Sequence, residues 1–383
     1  MSVEHAAIIG AGVAGLTAAL ALARHGIRSE IFEQAPDLAE VGAGLQISPN
    51  ASRILDKLGV LDLLAPIWLE PSSIRLISGP SMRELATVPM GAAARARWEA
   101  PYGMLHRASL QAALLEAVRA NSLCTLHLGA RIEGGDVAGI TRAGGVIIGA
   151  DGVWSKTRDL IADSPSSRFS GNIAYRFTVS AADAQGILGR ESVSAFLGPS
   201  AHLVAYPLRE TDSFNMVAIT TGHAGAREWL AQPTQAQRQQ LLSRFSRWNP
   251  ALLQLFEKSG AMTFWPLYEA TRGKWQNGRD TVLIGDAAHA MMPFAAQGAA
   301  MAIEDAYELA SLLAKRPAAE ALPLFEAHRV PRVNRLRQRG AFNQFVYHAR
   351  GPFRIGRDIV LSLKPPQSLA AELDWIYAYR AMA

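Results

Sequence analysis

With one cysteine, Cys124, in 383 residues, the chain can form no internal disulfide and no cysteine-built metal site. That fits a reducing compartment, so a cytoplasmic location and no metal are expected. Charge is also sparse, at 19% of residues. The net charge of +5 is local, because residues 328–357 hold eight arginines and no Asp or Glu, leaving the rest net acidic. That segment lacks aromatic interleaving or a nucleic-acid motif, so it reads as a partner face or a solvated helix surface, not as a nucleic-acid site. "AAIIGAGVAGLTAALALA", residues 6–23, is uncharged, but its three glycines argue against a continuous membrane-spanning helix. The preceding "MSVEH" lacks the positive flank of a signal peptide. There is no internal repeat and no low-complexity segment.

What is present is enough apolar sequence, 49%, to bury a full core, and the length suggests two domains. Residues 6–9 read as a buried strand, 13–25 as a helix apolar nearly all round, and 29–34 as a second strand, a βαβ start. Helical spacing returns from 50 and over 107–121; "GGVIIGADG" gives another strand, with helix-like "SKTRDLI" after it. From about 170 the pattern changes to short runs of Val, Ile, Tyr and Phe at turn spacing, which predicts an antiparallel sheet. Residues 235–256 look helical, "VLIGD" is a buried strand, and "GAAMAIEDAYELASLLAKR" is a long helix. The expected architecture is α/β: a discontinuous nucleotide-binding domain, 1–75, 100–170 and 275–383 with C-terminal helices, and a substrate domain of 76–99 and 171–274.

Three motifs carry chemistry. In "GAGVAG", Gly10, Gly12 and Gly15 lie between strand and helix, and Glu33 ends the next strand. Such glycines allow a tight turn, close approach of a pyrophosphate and close helix packing, while the acid is placed to bind a ribose. The pattern indicates a dinucleotide without separating FAD from NAD. In "GADGVWSKTR", Asp151-Gly152 follows an apolar strand and could be only a turn. In "TVLIGDAAHAMMPFAAQGAAMAIEDAYEL", Asp286 ends a strand and a helix begins near Gly298. Asp286 could be a buried cap; equally, it could bind the hydroxyls of a sugar-like chain while the small residues beyond admit a flat ring. In "GPSAHLVAYPLR", His202 and Tyr206 share one strand face, as core residues or as site residues.

Together and in this order, these motifs resemble the single-component FAD-dependent aromatic hydroxylases, the family of para-hydroxybenzoate and salicylate hydroxylases. The ending "LDWIYAY" is similar to the tail of the salicylate and 3-hydroxybenzoate hydroxylases, and His202 with Tyr206 matches a pair in the 3-hydroxybenzoate and 6-hydroxynicotinate hydroxylases. The resemblance implies tightly bound FAD, met by Gly12, Val13, Ala14 and Glu33 at its adenosine and pyrophosphate half. It implies Arg107 and Asp286 on the flavin chain, with Pro293, Gly298 and Ala299 beside the isoalloxazine. It ties Asp151 and its companion Arg158 to FAD and to NADH or NADPH. No second GxGxxG is present, which suits a family whose nicotinamide docks transiently. His202 becomes the base that takes a phenolic proton, with Tyr206 as an orienting or relay group. Arg176, Phe196, Met291, Met292 and Phe294 become candidate substrate contacts, although Arg176 could be an inter-domain residue and the others, like Trp265, core.

The implied reaction is hydroxylation of a small phenolic or N-heteroaromatic carboxylic acid by O2 through a flavin C4a-hydroperoxide, by a monomer or homodimer. Two alternatives stay open: a monooxygenase of a non-phenolic secondary metabolite, and a non-catalytic flavin sensor using the arginine-rich segment as partner face. The stretch from Leu128 to "GADG" is shorter than is usual in the family.

Overall fold

The computed structural model describes residues 3–38, 44–132, 140, 145–223 and 232–382. The shortened stretch after Leu128 thus falls largely on positions, 133–139 and 141–144, outside the described residues. Strand β1 (His5–Ile9), helix α1 (Val13–Ala23) and strand β2 (Arg28–Glu33) form the expected βαβ unit. Strands β7 (Cys124–Leu128), β8 (Val146–Gly149) and β14 (Thr281–Leu283) complete a parallel sheet of order β14–β8–β1–β2–β7. Its central strand is buried on both faces, which is why it reads as an unbroken apolar run. Every residue of α1 is buried, because the helix lies between this sheet and the long helix Gly298–Lys315. A small antiparallel pair, β3 (Gly44–Ile47) with β6 (Gly103–His106), stands alongside.

The second sheet is built from β4 (Ser73–Ser78), β5 (Glu84–Pro89), β9 (Ser167–Ser180), β10 (Ser192–Gly198), β11 (Ala201–Leu208), β12 (Ser213–Thr221) and β13 (Thr263–Ala270). Its order is β13–β9–β12–β11–β10–β4–β5. It is antiparallel except where β10 meets β4 in parallel, so the sheet expected to be antiparallel is mixed. The reason is connectivity: β4 arrives from the first domain, about a hundred residues before β10, and no hairpin constrains its direction. The expected divisions at 75/76 and 170/171 fall inside β4 and β9, strands hydrogen-bonded as units.

Helices Gln235–Phe245 and Pro250–Glu257 cover one face of this sheet over a core that includes Tyr175, Phe177, Phe196, Leu203 and Phe214. The helical stretch expected over 235–256 is broken because Asn249 starts a new helix, its side chain accepting from Ala251 N at 3.0 Å, with Pro250 at the first helical position. "SKTRDLI" shortens to one 3-10 turn, Thr157–Leu160. Among the described residues no helix is long and apolar enough to cross a membrane.

The C-terminal helices Ala318–Tyr347 and Gly351–Leu363 bridge the two sheets' domains, and they correct the reading of the arginine-rich segment. Arg329 is fully buried, with Nε 2.7 Å from Asp305 and Nη1 2.8 Å from Glu304. Arg332 pairs with Glu304 at 2.6 Å, Arg335 lies over the Trp375 ring, and Arg337 donates to the Ala270 carbonyl. Arg329 and Arg332 neutralise carboxylates of helix Gly298–Lys315 and Arg337 ties down backbone, while Arg335 stays exposed over its tryptophan, so the segment is not simply a solvated stripe.

Candidate active site

The other face of the mixed sheet looks across a cavity of about 1020 Å³ towards the glycine-rich turn of the first domain. At that turn the three glycines have three separate duties. Gly10 adopts φ +102°, and a Cβ there would come 2.5 Å from the Ala150 carbonyl oxygen. A Cβ on Gly15 would sit 1.9 Å from Gly10 O, so it sets the approach of helix to strand. Gly12 has nothing within 4 Å of a built Cβ, lines the cavity, and caps α1 without a side chain. The first-turn amides of α1 therefore face open space suited to an anion.

Glu33 does not line the cavity. Its two oxygens accept from Ala11 N and Ala35 N, each at 2.9 Å, holding the turn in shape. Each oxygen keeps a further lone pair for a ribose hydroxyl. Val13 and Ala14 line the cavity beside Gly12, and Arg107 enters it from the start of helix Arg107–Arg119.

Asp286 lies just beyond β14, as the first residue of the short helix Asp286–His289; it is exposed and lines the same cavity, so the buried-cap reading is set aside. The adjacent Gly285 has φ +58° and lies where a Cβ would touch Ala14 and Ala302 at 3.1 and 3.2 Å. Pro293, Phe294, Gly298 and Ala299 continue the lining, and the N-terminus of Gly298–Lys315 has no side-chain cap. A planar, electron-accepting ring laid there would meet small side chains and the positive end of the helix.

Asp151 and Arg158 stand behind the cavity and hold its turns. Asp151 Oδ2 accepts from Lys156 N at 2.7 Å and from Thr157 N and Oγ1 at 3.0 Å, which is turn capping; neither residue lines the cavity. Its Oδ1 is buried without a partner among the described residues. Arg158 spends its guanidinium on the carbonyls of Ala287 (2.7 Å), Val153 (2.9 Å) and Asp286 (3.0 Å) and on Ser167 Oγ (2.7 Å). It bolts the "GADG" turn to the "GDAAH" turn, and so positions Asp286 through its backbone.

On the sheet, alternation decides which side chains reach the cavity. His202, Val204 and Tyr206 of β11 face it, as do Val193 and Ala195 of β10, Val217 and Ile219 of β12, and Arg176 of β9. Phe196 is a correction: it pairs with Leu203, points to the opposite face and is packed in the core beneath the two covering helices. Met292 is another, packing on Ala174, Ile219 and Phe294 while its neighbour Met291 lines the cavity. Arg176 lies under the Trp265 ring, 5.6 Å from its centroid, in the register row that runs through Val217 and Val204. That row falls between the rows of His202 and Tyr206. The backbones of the latter two stand about 13 Å apart along the strand, a gap that takes an aromatic ring.

His202 is 1% exposed. Burial, reinforced by His348, holds its imidazole well below the usual range, so it is neutral around pH 7. This moves the acid limb away from the near-neutral position that an ordinary histidine would give. Burial pushes the Tyr206 phenol up, so it stays a donor. Sequence reasoning missed His348, whose Nε2 lies 2.9 Å from His202 Nδ1; 146 residues separate the two, and no local pattern links them. It also missed the fully buried Glu304, Asp305 and Glu308, with His289 2.5 Å from Asp305. Their i, i+1, i+4 spacing on an otherwise apolar helix was the available signal.

A glycine-rich βαβ turn, a second carboxylate and a largely apolar sheet face around one cavity mark a dinucleotide-binding protein with room for a small molecule beside the dinucleotide. The comparisons sharpen this. Residues 144–339 match the FAD binding domain family, and residues 8–58 match the NAD(P)-binding Rossmann-like domain family. The chain is 33% identical over 383 residues to 3-hydroxybenzoate 6-hydroxylase 1 of Aquipseudomonas alcaligenes, covering 97% of this chain and 96% of that one. It is 33% identical to a 3-amino-4-hydroxybenzoate 2-monooxygenase of Streptomyces platensis, covering 98% and 96%. In fold it resembles Klebsiella pneumoniae HpxO complexed with FAD and uric acid, with a TM-score of 0.79 and 23% identity, covering 97% and 95%. A salicylate hydroxylase substrate complex gives a TM-score of 0.78 and 22% identity, covering 99% and 96%. The chain belongs to the single-component FAD-dependent aromatic hydroxylases, monooxygenases acting on small aromatic compounds.

Proposed function

We propose that this enzyme hydroxylates a small phenolic carboxylic acid, or its N-heteroaromatic counterpart, with NADH or NADPH as reductant and O2 as oxygen source. The observation that carries the reading is the cavity face of the mixed sheet, where one neutral imidazole and one guanidinium, His202 and Arg176, stand in apolar surroundings. An aromatic ring bearing a hydroxyl and a carboxylate complements that pair. The curated relatives named above act, by their names, on hydroxybenzoates, which carry both groups.

The residues present fit FAD: Gly12 leaves room where a pyrophosphate approaches, Asp286 offers a carboxylate to hydroxyls, and Gly298 and Ala299 leave a slot for a flat ring. When bound, FAD supplies the electron transfer and the oxygen activation that side chains lack. The protein's share is orientation, exclusion of water and movement of one proton. Arg176 anchors the carboxylate. His202 Nε2, which makes no hydrogen bond among the described residues, accepts the phenolic proton and enriches the ring for electrophilic attack. Tyr206, 3% exposed, donates to the far side of the ring, and Phe294 closes the wall against water.

A screen of hydroxylated benzoates and pyridine carboxylates for stimulated NAD(P)H oxidation, with product mass measured, tests the reading. Gain of one oxygen atom by such an acid supports it. Stimulation confined to non-phenolic compounds would overturn it.

A further inference from the structure

His348 has a place that the hydroxylation reading leaves unused. It follows the last residue of helix Ala318–Tyr347, fixed by its amide donating to Gln344 O at 3.0 Å and its carbonyl accepting from Ser200 N at 3.2 Å. Its Nε2 meets His202 Nδ1 at 2.9 Å, with Phe294 packed against both rings. His348 does not line the main cavity. It lines a second one of about 450 Å³ with Ser200, Thr221, Gln344 and Arg350, whose rim includes the exposed Phe345 and Phe353. The His202 ring lines the main cavity and the His348 ring the second, so the hydrogen-bonded pair spans from one to the other.

We propose that His348 is the second member of a proton exit, passing the phenolic proton from His202 to solvent in the second cavity; this rests on the base role assigned to His202. At the start His202 carries its proton on Nδ1 and donates it to His348 Nε2. The phenol O–H breaks as its proton bonds to His202 Nε2, the Nδ1 proton moves to His348 Nε2, and His348 Nδ1 sheds its proton to water. No electrons are exchanged, and one proton leaves for each phenolate formed. When the product's phenolate takes a proton back from His202 Nε2, the chain reverses and both tautomers are restored. Burial disfavours a standing cation on either ring, and Arg350 adds to that for His348, whose imidazole is lowered to about 4. The proton is therefore handed on instead of stored. The groups facing His348 are His202, Ser200, Phe294, Thr221, Gln344 and Arg350, none of them a carboxylate that would trap it.

The test mixes FAD-loaded enzyme with 3-hydroxybenzoate in weakly buffered solution containing a pH indicator and follows proton release by stopped flow. Wild type should release a rapid burst, and His202→Ala should release none. In His348→Gln the amide oxygen can still accept from His202 Nδ1–H and keep the ring oriented, yet the burst should slow by about 10-fold or more. His348→Ala should slow likewise and recover when imidazole is added, a response that a packing role would not give. A normal burst in His348→Gln overturns the inference while leaving the base role standing. A wild type without a burst, or a His202→Ala variant with a normal one, overturns the base role and the inference together.

Discussion

Replacing each glycine of the turn by alanine should separate folding from cofactor binding. At Gly10, alanine must hold φ +102°, outside the region open to side chains, with its Cβ 2.5 Å from a backbone oxygen. Such strain alone costs about 1–3 kcal/mol, and the backbone contact adds to it. At Gly15 the contact is 1.9 Å, also against backbone, so α1 must move off β1. Both variants should lose several kcal/mol of stability, a large share of the ~5–15 kcal/mol typical of a folded protein. Gly12 differs: its φ of −74° and ψ of −175° suit alanine, and a Cβ meets nothing. Gly12→Ala should leave the apoprotein within about 1 kcal/mol of wild type, even slightly stabilised through the unfolded chain. Its methyl, however, enters the space where the pyrophosphate approaches the α1 amides. Losing one or two charge-assisted hydrogen bonds at about 1.5–3 kcal/mol each should weaken FAD by roughly 10- to 100-fold or more. Urea unfolding of the apoproteins and fluorescence titration with FAD measure the two effects. Unchanged FAD affinity in a stable Gly12→Ala would refute the placement of the pyrophosphate.

Asp286→Ala should weaken FAD by about 1.5–3 kcal/mol with little change in unfolding midpoint, because only its backbone carbonyl is used by Arg158; an unaltered flavin affinity would return Asp286 to a structural part. His202→Ala should keep FAD and lose about 100- to 10,000-fold in hydroxylation. In the wild type the lowered pKa of His202 leaves it unprotonated across neutrality, so its contribution to kcat/KM should be flat there and fall only in acid as the imidazole charges. A limb centred near the ordinary histidine value would contradict its burial. Arg329→Met removes the buried cation shared by Glu304, Asp305 and Glu308, leaving Arg332 on Glu304, His289 on Asp305 and the Tyr379 hydroxyl on Glu308, and should cost about 3–5 kcal/mol of stability, measurable by chemical unfolding.

The βαβ start with Glu33 at the end of β2 and the sheet-rich middle were legible because each rests on local rules, the apolar period, the glycine turn and strand alternation; Asp286, read as a strand end, starts the short helix Asp286–His289 instead. Alternation placed His202 and Tyr206 on one face, and both line the cavity. It could not say which face of β10 was inward, so Phe196 stood among the candidate apolar walls; only packing under helices Gln235–Phe245 and Pro250–Glu257 decided that. Composition likewise showed eight arginines without partners in their own segment, whereas the fold supplies Arg329 and Arg332 with acids from helix Gly298–Lys315. The parallel junction of β4 with β10 and the His202–His348 pair join residues more than a hundred positions apart. Such partners are chosen by how layers stack, a global balance of buried area and paired polar groups that no short window of sequence contains.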